Sequence, residues 1–258
     1  MSVSKSLARI AQLEEKARQQ AHKEGFQWKA ALEEKVPDKV LENLKGVFCK
    51  AFAVIFEKGT GIIEKTYRKE ELEKDFRMRD LATDLDLNPR DRMLAEASAE
   101  LSGLVSLAVS TVEGVGLGAL GIGLPDIVLF VSMILRGSYE MALRYGFSYD
   151  TPAERMFLLT LLEGSMARGE SWDACSDAAD EMMRSPVDPD KAELDAQIRR
   201  TAEAFATDML LAKFVQSLPF VGMAGGLANP YYYRKILRYV RMKYRKRYLL
   251  AKQKAGEE

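Results

Sequence analysis

Histidine is almost missing from this chain, and cysteine is scarce. One histidine, His22, and two cysteines, Cys49 and Cys175, stand among 258 residues. A structural zinc site needs four ligands drawn mainly from those two residue types, so the usual zinc sets cannot be assembled, and no metal site is expected. A serine–histidine–carboxylate triad would have to recruit His22, which lies in the polar stretch RQQAHKEG and reads as a solvated helix residue. Two cysteines without C-x-x-C spacing do not make a disulfide framework, and a reducing compartment fits them best. The N-terminal stretch MSVSKSLARIAQLEEK is charged from Lys5 onward and has no apolar h-region, so no secretory signal is visible.

Strand signals are also sparse. Period-2 alternation is nearly absent and no Asn-Gly or Asp-Gly hairpin turn occurs. Period-3.6 patterns are plentiful instead. After Val36-Pro37, the residues Val40, Leu41, Leu44, Val47, Phe48, Ala51, Phe52, Ile55 and Phe56 share one helical face, with Gly59 as a stop. A further helix is expected from about Pro89 into the stretch MLAEASAELSGLVSLAV. Thr151-Pro-Ala-Glu154 has the form of a capping box with proline at the first helical position. Ser171 is placed to cap WDACSDAADEMMR, and Asp188-Pro189 to open the long helical pattern that follows. The expected fold is all-α: a single helical domain with two glycine- and proline-rich, hairpin-like apolar segments. Its expected divisions are a charged helical extension (1–36), a helical core (37–230) and a basic aromatic C-terminal helix and tail (231–258).

Net charge is zero overall, with 38 basic and 38 acidic residues, but it is unevenly spread. Residues 231–258 hold 10 basic residues against 2 acidic, whereas 151–230 hold 7 against 13. A basic arm of this kind meets an anionic partner or the acidic face of its own chain. One such face is the row Asp173, Asp177, Asp180 and Glu181, whose spacing puts the four carboxylates on one side of a helix. It reads as a solvated acidic face or a dock for the basic tail, because it lacks the loop geometry of a calcium or magnesium site.

Two apolar segments depart from the soluble pattern. EGVGLGALGIGLPD, Glu113 to Asp126, contains a G-x-G-x-x-G at Gly116, Gly118 and Gly121. A dinucleotide loop would need a strand before it and an unbroken helix after it, but Gly123 and Pro125 interrupt that helix. The uncharged run Phe214–Tyr233 is the second segment; Pro219 and Pro230 make it a poor spanning helix. Gly114 and Gly118, like Gly222 and Gly226, have the G-x-x-x-G spacing that lets helix backbones approach closely. The segments therefore pack together or insert shallowly into lipid. Asp126 suits the first turn of a helix. Glu113 either pairs with Arg136 or Arg144, or is a functional acid in an apolar cleft.

On the C-terminal helix, Tyr233, Leu237, Val240, Tyr244 and Tyr248 form a stripe flanked by Arg234, Arg238, Arg241 and Arg245, with Lys235 and Lys246 nearby. Aromatic rings beside basic residues suit the headgroup layer of an anionic membrane. A contact within the protein or with a protein partner is a second option. Nucleic acid would accept the charge but leaves the preceding apolar segment without a role.

These pieces together resemble the EcsC family of bacterial proteins, named for a companion of an ABC transporter. The resemblance lies in KAFAVIFEKGTGIIEK (50–65), TVEGVGLGALGIGLPDIVLF (111–130), LRYGFSYDTPAERMFLL (143–159) and the stretch from Pro219 to Leu249; residues 1–45 show none. Glu113, Gly114, Pro125, Asp126, Tyr145, Gly146, Pro219, Gly222 and Asn229 match the family's recurring pattern. The resemblance implies a membrane-associated accessory protein on the cytoplasmic side, sometimes linked to a transporter, with no cofactor attached. The expected function is thus an accessory or scaffold protein at an anionic membrane surface, possible partners including a membrane protein complex. The alternative is a hydrolase-like enzyme acting on a lipid or peptide with Glu113 and Asp126.

Overall fold

A computed structural model describes residues 3–35, 38–56, 124–216 and 230–257, and side chains for most of them. Seven helices account for these segments: α1 (Val3–Lys35), α2 (Asp38–Val54), α3 (Leu124–Arg144), α4 (Pro152–Met166), α5 (Glu170–Arg184), α6 (Lys191–Gln216) and α7 (Pro230–Glu257). No strand occurs among the described residues, and the fold is all-α. The two glycine segments and the helix expected from Pro89 lie outside them, as do Glu113, Gly114, Pro219, Gly222 and Asn229.

Five helices close a ring around one core. α2 packs on α6, α6 on α4, α4 on α7, α7 on α3, and α3 back on α2. α5 lies against α4, and α1 runs over α7 with further contacts to α5 and α6. The periodic face of α2 is the one that turns inward: Leu44, Val47, Phe48, Ala51, Phe52, Ile55 and Phe56 are all buried. Phe205 of α6 joins Phe48, Phe52 and Phe130, with ring centroids 5.7, 5.6 and 6.1 Å away. Such pairs add roughly 0.5–1.5 kcal/mol each beyond the area they bury.

Local chemistry sets the helix ends. α3 stops in a Schellman motif: Gly146, at φ 78°, donates to Leu143 O (2.9 Å), and Phe147 donates to Ala142 O (2.9 Å). The Tyr145-Gly146 pair thereby gains a structural explanation, since only glycine takes that φ without strain and Tyr145 is buried beside it. α3 begins at Leu124, which puts Pro125 and Asp126 in its first turn.

The caps of the next helices differ from the expectation in instructive ways. Thr151 does cap α4, its Oγ1 accepting from Glu154 N (3.2 Å), with Pro152 in the first turn. The Glu154 carboxylate does not turn back to close a capping box; it reaches Arg247 instead. Ser171 is not the cap of α5. Gly169 is, at φ 55°, because its N–H is drawn to Ala21 O of α1 (3.1 Å) and its carbonyl accepts from Trp172. Asp188 does not open α6 either. Asp190 and Glu193 form the reciprocal capping box there, each side chain accepting the other's N–H at 2.8 Å. Asp188 accepts from Ala153 N at the start of α4 (3.1 Å), so it serves the neighbouring helix.

Candidate anion-binding face of the C-terminal helix

α7 opens at Pro230, whose missing N–H falls where a helix has no partner for it. Its inner face follows the 3.6 period through Tyr233, Ile236, Val240, Lys243 and Tyr244, all buried. This is a core seam. Tyr244 meets Phe157 edge-on at 5.4 Å, and Tyr239 meets Trp172 edge-on at 5.9 Å. Burial, reinforced by Glu140 near Tyr233 and Glu154 near Tyr244, lifts both hydroxyls well above the ordinary tyrosine range. The stripe expected to rest rings in a headgroup layer therefore packs against the protein's own core. Tyr233 and Tyr244 are unavailable to a membrane in this fold, and Tyr248 is half-buried against Tyr145 (6.1 Å). The reason is supply: the α3–α4 seam already offers Phe147, Phe157 and Tyr145 as partners for those rings.

The lysines are also engaged. Lys235 lies 3.5 Å from the buried Asp208 of α6, which pairs with Arg168 as well. Burial, aided by Arg168, pulls the Lys235 ammonium below the usual lysine range against the pull of Asp208. Lys246 bridges Asp180 Oδ2 and Glu14 Oε2, each at 2.6 Å. Burial acts against its charge, yet those two carboxylates outweigh it and raise its pKa. Lys243, with no exposed surface, contacts Glu14 Oε1 (2.7 Å), Asp180 Oδ1 (2.9 Å) and Ser176 Oγ (2.8 Å). Arg247 grips Glu154 with both terminal nitrogens (2.7 and 2.5 Å) while its guanidinium lies over Phe147 and Phe157 at 4.2 and 4.8 Å.

The arginines occupy a different side of the helix. Arg234 and Arg238 are exposed, and Arg241 and Arg245 are half-exposed. Their spacing of four, three and four residues keeps them in one stripe along the helix. α7 thus reaches the body through Lys235, Lys243, Lys246 and Arg247, and the four arginines lie along its outward side as a cationic edge.

The acidic row on α5 is not uniformly solvated. Asp180 docks the basic helix through Lys243 and Lys246. Burial alone would raise its pKa, but the two ammonium groups hold it below the usual carboxylate range. Asp173 accepts from Arg18 Nε (3.0 Å) and meets His22 Nε2 (2.7 Å), both on α1. Glu181 pairs within the helix with Arg184 (2.8 Å), and Asp177 is exposed. His22 is therefore not a merely solvated residue.

Two further places have chemical character. Arg136 of α3 pairs with Glu140 at 3.1 Å in the core, and one terminal nitrogen of Arg136 is buried with no hydrogen-bond partner among the described residues. Burial raises the Glu140 pKa, opposed by Arg136 and Arg144. Glu113, expected to pair with one of these arginines, lies outside the described residues, as does the Asp126 side chain; the enzymatic reading rests on those two. A half-open apolar cleft of about 540 Å³ also lies between the starts of α4 and α6 and the end of α5. Met156, Phe157, Met182 and Val187 line it, and its carboxylates Glu154, Glu181 and Glu193 are held by Arg247, Arg184 and the α6 cap. Cys175 is no candidate nucleophile: burial, with Glu163 adding to it, pushes its thiol up to about 12.

Asp180 fulfils the expected dock for the basic tail, whereas Glu14 and Asp208 went unforeseen as partners of α7, although Lys243 carries a visible signal. It falls on the same helical face as Ile236 and Val240, where a lysine demands a buried carboxylate. The sequence does not say which carboxylate.

No described helix is long and apolar enough to cross a membrane. No curated protein and no solved structure matches the chain. The sequence profile of the EcsC protein family, however, matches residues 2–249. That span includes residues 2–45, where no resemblance was evident. With nearly the whole length matched, the chain belongs to the EcsC protein family.

Proposed function

We propose that this protein is an accessory or scaffold protein that docks peripherally on an anionic membrane surface, on the cytoplasmic side, as part of a transporter or other envelope assembly. The observation that carries this reading is the arginine edge Arg234, Arg238, Arg241 and Arg245 on a helix whose opposite face is anchored in the core. A rigid row of guanidinium groups can meet several phosphates at once, at roughly 1 kcal/mol for each basic residue near an anionic surface. The tyrosines are not part of this contact; they hold the helix in place.

Flotation with liposomes tests the reading. Binding is expected to rise with phosphatidylglycerol content and to weaken with salt. Replacing the four arginines by glutamate is expected to lower affinity at least a hundredfold, from about four lost contacts of roughly 1 kcal/mol each. Binding that ignores lipid charge, salt and the quadruple substitution would overturn it.

A further inference from the structure

Over residues 3–23, where its side chains are described, the N-terminal helix is fastened to the body by charge more than by apolar packing. Between Val3 and Lys23, Ile10 and Ala21 are its buried hydrophobic residues, and Leu13 is 45% exposed. The polar fastenings are more numerous. Glu14 spans two lysines of α7, Arg18 and His22 share Asp173 of α5, and Ala21 O accepts from Gly169 N.

Glu14 has an unusual position among these. Its two oxygens each hold a different ammonium, Lys243 at 2.7 Å and Lys246 at 2.6 Å. Asp180 repeats the same bridge from the opposite side, at 2.9 and 2.6 Å. The four-charge cluster is neutral only while α1 is present. Without Glu14, two lysines share one carboxylate, and a net positive charge opens on the helix that carries the arginine edge. A phosphodiester has the same means of bridging as Glu14: two anionic oxygens on one centre.

We propose that α1 is a displaceable cover, and that Lys243 and Lys246 beneath it form a second contact for the phosphate of an anionic lipid, which takes the place of Glu14. The idea rests on the membrane reading above and deepens it. Docking through the arginine edge brings a high local concentration of lipid phosphate to α7, where it meets the half-exposed Lys246 beside Arg245 first and the inward-facing Lys243 only once α1 has moved. The long helix leaves without unmaking the five-helix ring, because α1 is not a member of that ring.

Hydrogen–deuterium exchange across residues 3–23 of the full chain reads the cover directly. Vesicles containing phosphatidylglycerol are expected to lower protection there at least tenfold. Neutral phosphatidylcholine vesicles and soluble glycerol phosphate are expected to leave it unchanged. Glu14→Gln should loosen α1 without lipid and strengthen binding to phosphatidylglycerol vesicles roughly fivefold, the equivalent of one ion pair of about 1 kcal/mol. Arg18→Gln, which leaves the lysine cluster intact and so cannot act through a buried unpaired charge, should shift both readouts the same way by less. Protection that persists on vesicles the protein binds, or an unchanged affinity in both variants, would overturn the cover. Release by soluble glycerol phosphate alone would overturn the lipid as its partner. If the arginine-to-glutamate protein binds vesicles normally, the membrane reading itself fails; if that protein loses binding while α1 stays protected in the wild type, only the cover fails.

Discussion

α4 and α1 both lie against α7, yet different forces keep them there. α4 presents Phe157, Leu158, Leu159, Leu161, Leu162 and Met166 to the core, and its Gly164 lets Tyr239 and Cys175 come close. α1 presents a carboxylate, an arginine and the chain's one histidine. Apolar burial is non-directional and little affected by salt, whereas surface ion pairs weaken with ionic strength and contribute about 1 kcal/mol or less. The same helix therefore has one neighbour held by apolar burial and another held, over residues 3–23, chiefly by charge.

Leu162→Ala would test the first half of that contrast most severely. The side chain is fully buried, and truncation should cost about 2–5 kcal/mol of global stability, read as a lowered urea midpoint. A smaller value would mean that α4 is no more deeply integrated than α1. Gly164→Ala should come next. A Cβ there would meet Tyr239 Oη at 2.9 Å and Cys175 Cβ at 3.1 Å, and the second atom is tied to the α5 backbone. Alanine is the better helix former by about 1 kcal/mol. Overpacking at about 1–3 kcal/mol should still win, giving a lower melting temperature.

The smallest effect concerns acid. Asp180 is held below the usual carboxylate range in the folded protein, so its contribution is complete above the unfolded value of about 3.9 and is lost as pH falls through the depressed folded value. Lys246 is raised, so its contribution is complete below the unfolded value of about 10.4 and is lost only at higher pH, through the raised folded value. The Asp180–Lys246 pair should therefore be indifferent to pH between about 5 and 9, while α1 should loosen below about pH 4 through Asp173, whose carboxyl burial would raise but Arg18 and His22 of α1 hold below the usual range. Trp172, stacked edge-on with Tyr239, can report this in a Trp28→Phe background. An emission change below pH 4 that precedes loss of helical circular dichroism would sharpen the distinction between α1 and α4, and a coincident change would erase it.

Periodicity made much of this fold legible. The inward face of α2 and the cap of α4 are written in local residue patterns, and both are where the pattern puts them. The caps of α5 and α6 were misread because distant groups compete for the capping atoms. Ala21 O claims the Gly169 N–H, and Ala153 N claims the Asp188 carboxylate. On α7 the stripe was read correctly as apolar and aromatic, but periodicity reports that a face is covered without naming what covers it. The arginine edge was visible in the sequence for the same reason, as the complement of that stripe. Of the lysine pairings, docking on the acidic row of α5 was among the expectations, whereas Glu14 on α1 and Asp208 on α6 carry no signal local to α7.

The Glu14–Lys246 contact joins residues 232 positions apart, near the two ends of the chain. Synthesis proceeds from the N-terminus at about 5–20 residues per second, so Glu14 is made roughly ten to fifty seconds before Lys246. Throughout that interval Glu14 has neither of its lysines to hold. The ion pairs of Glu14 can close only after α7 has been made, so α1 keeps its charged side chains in water until then.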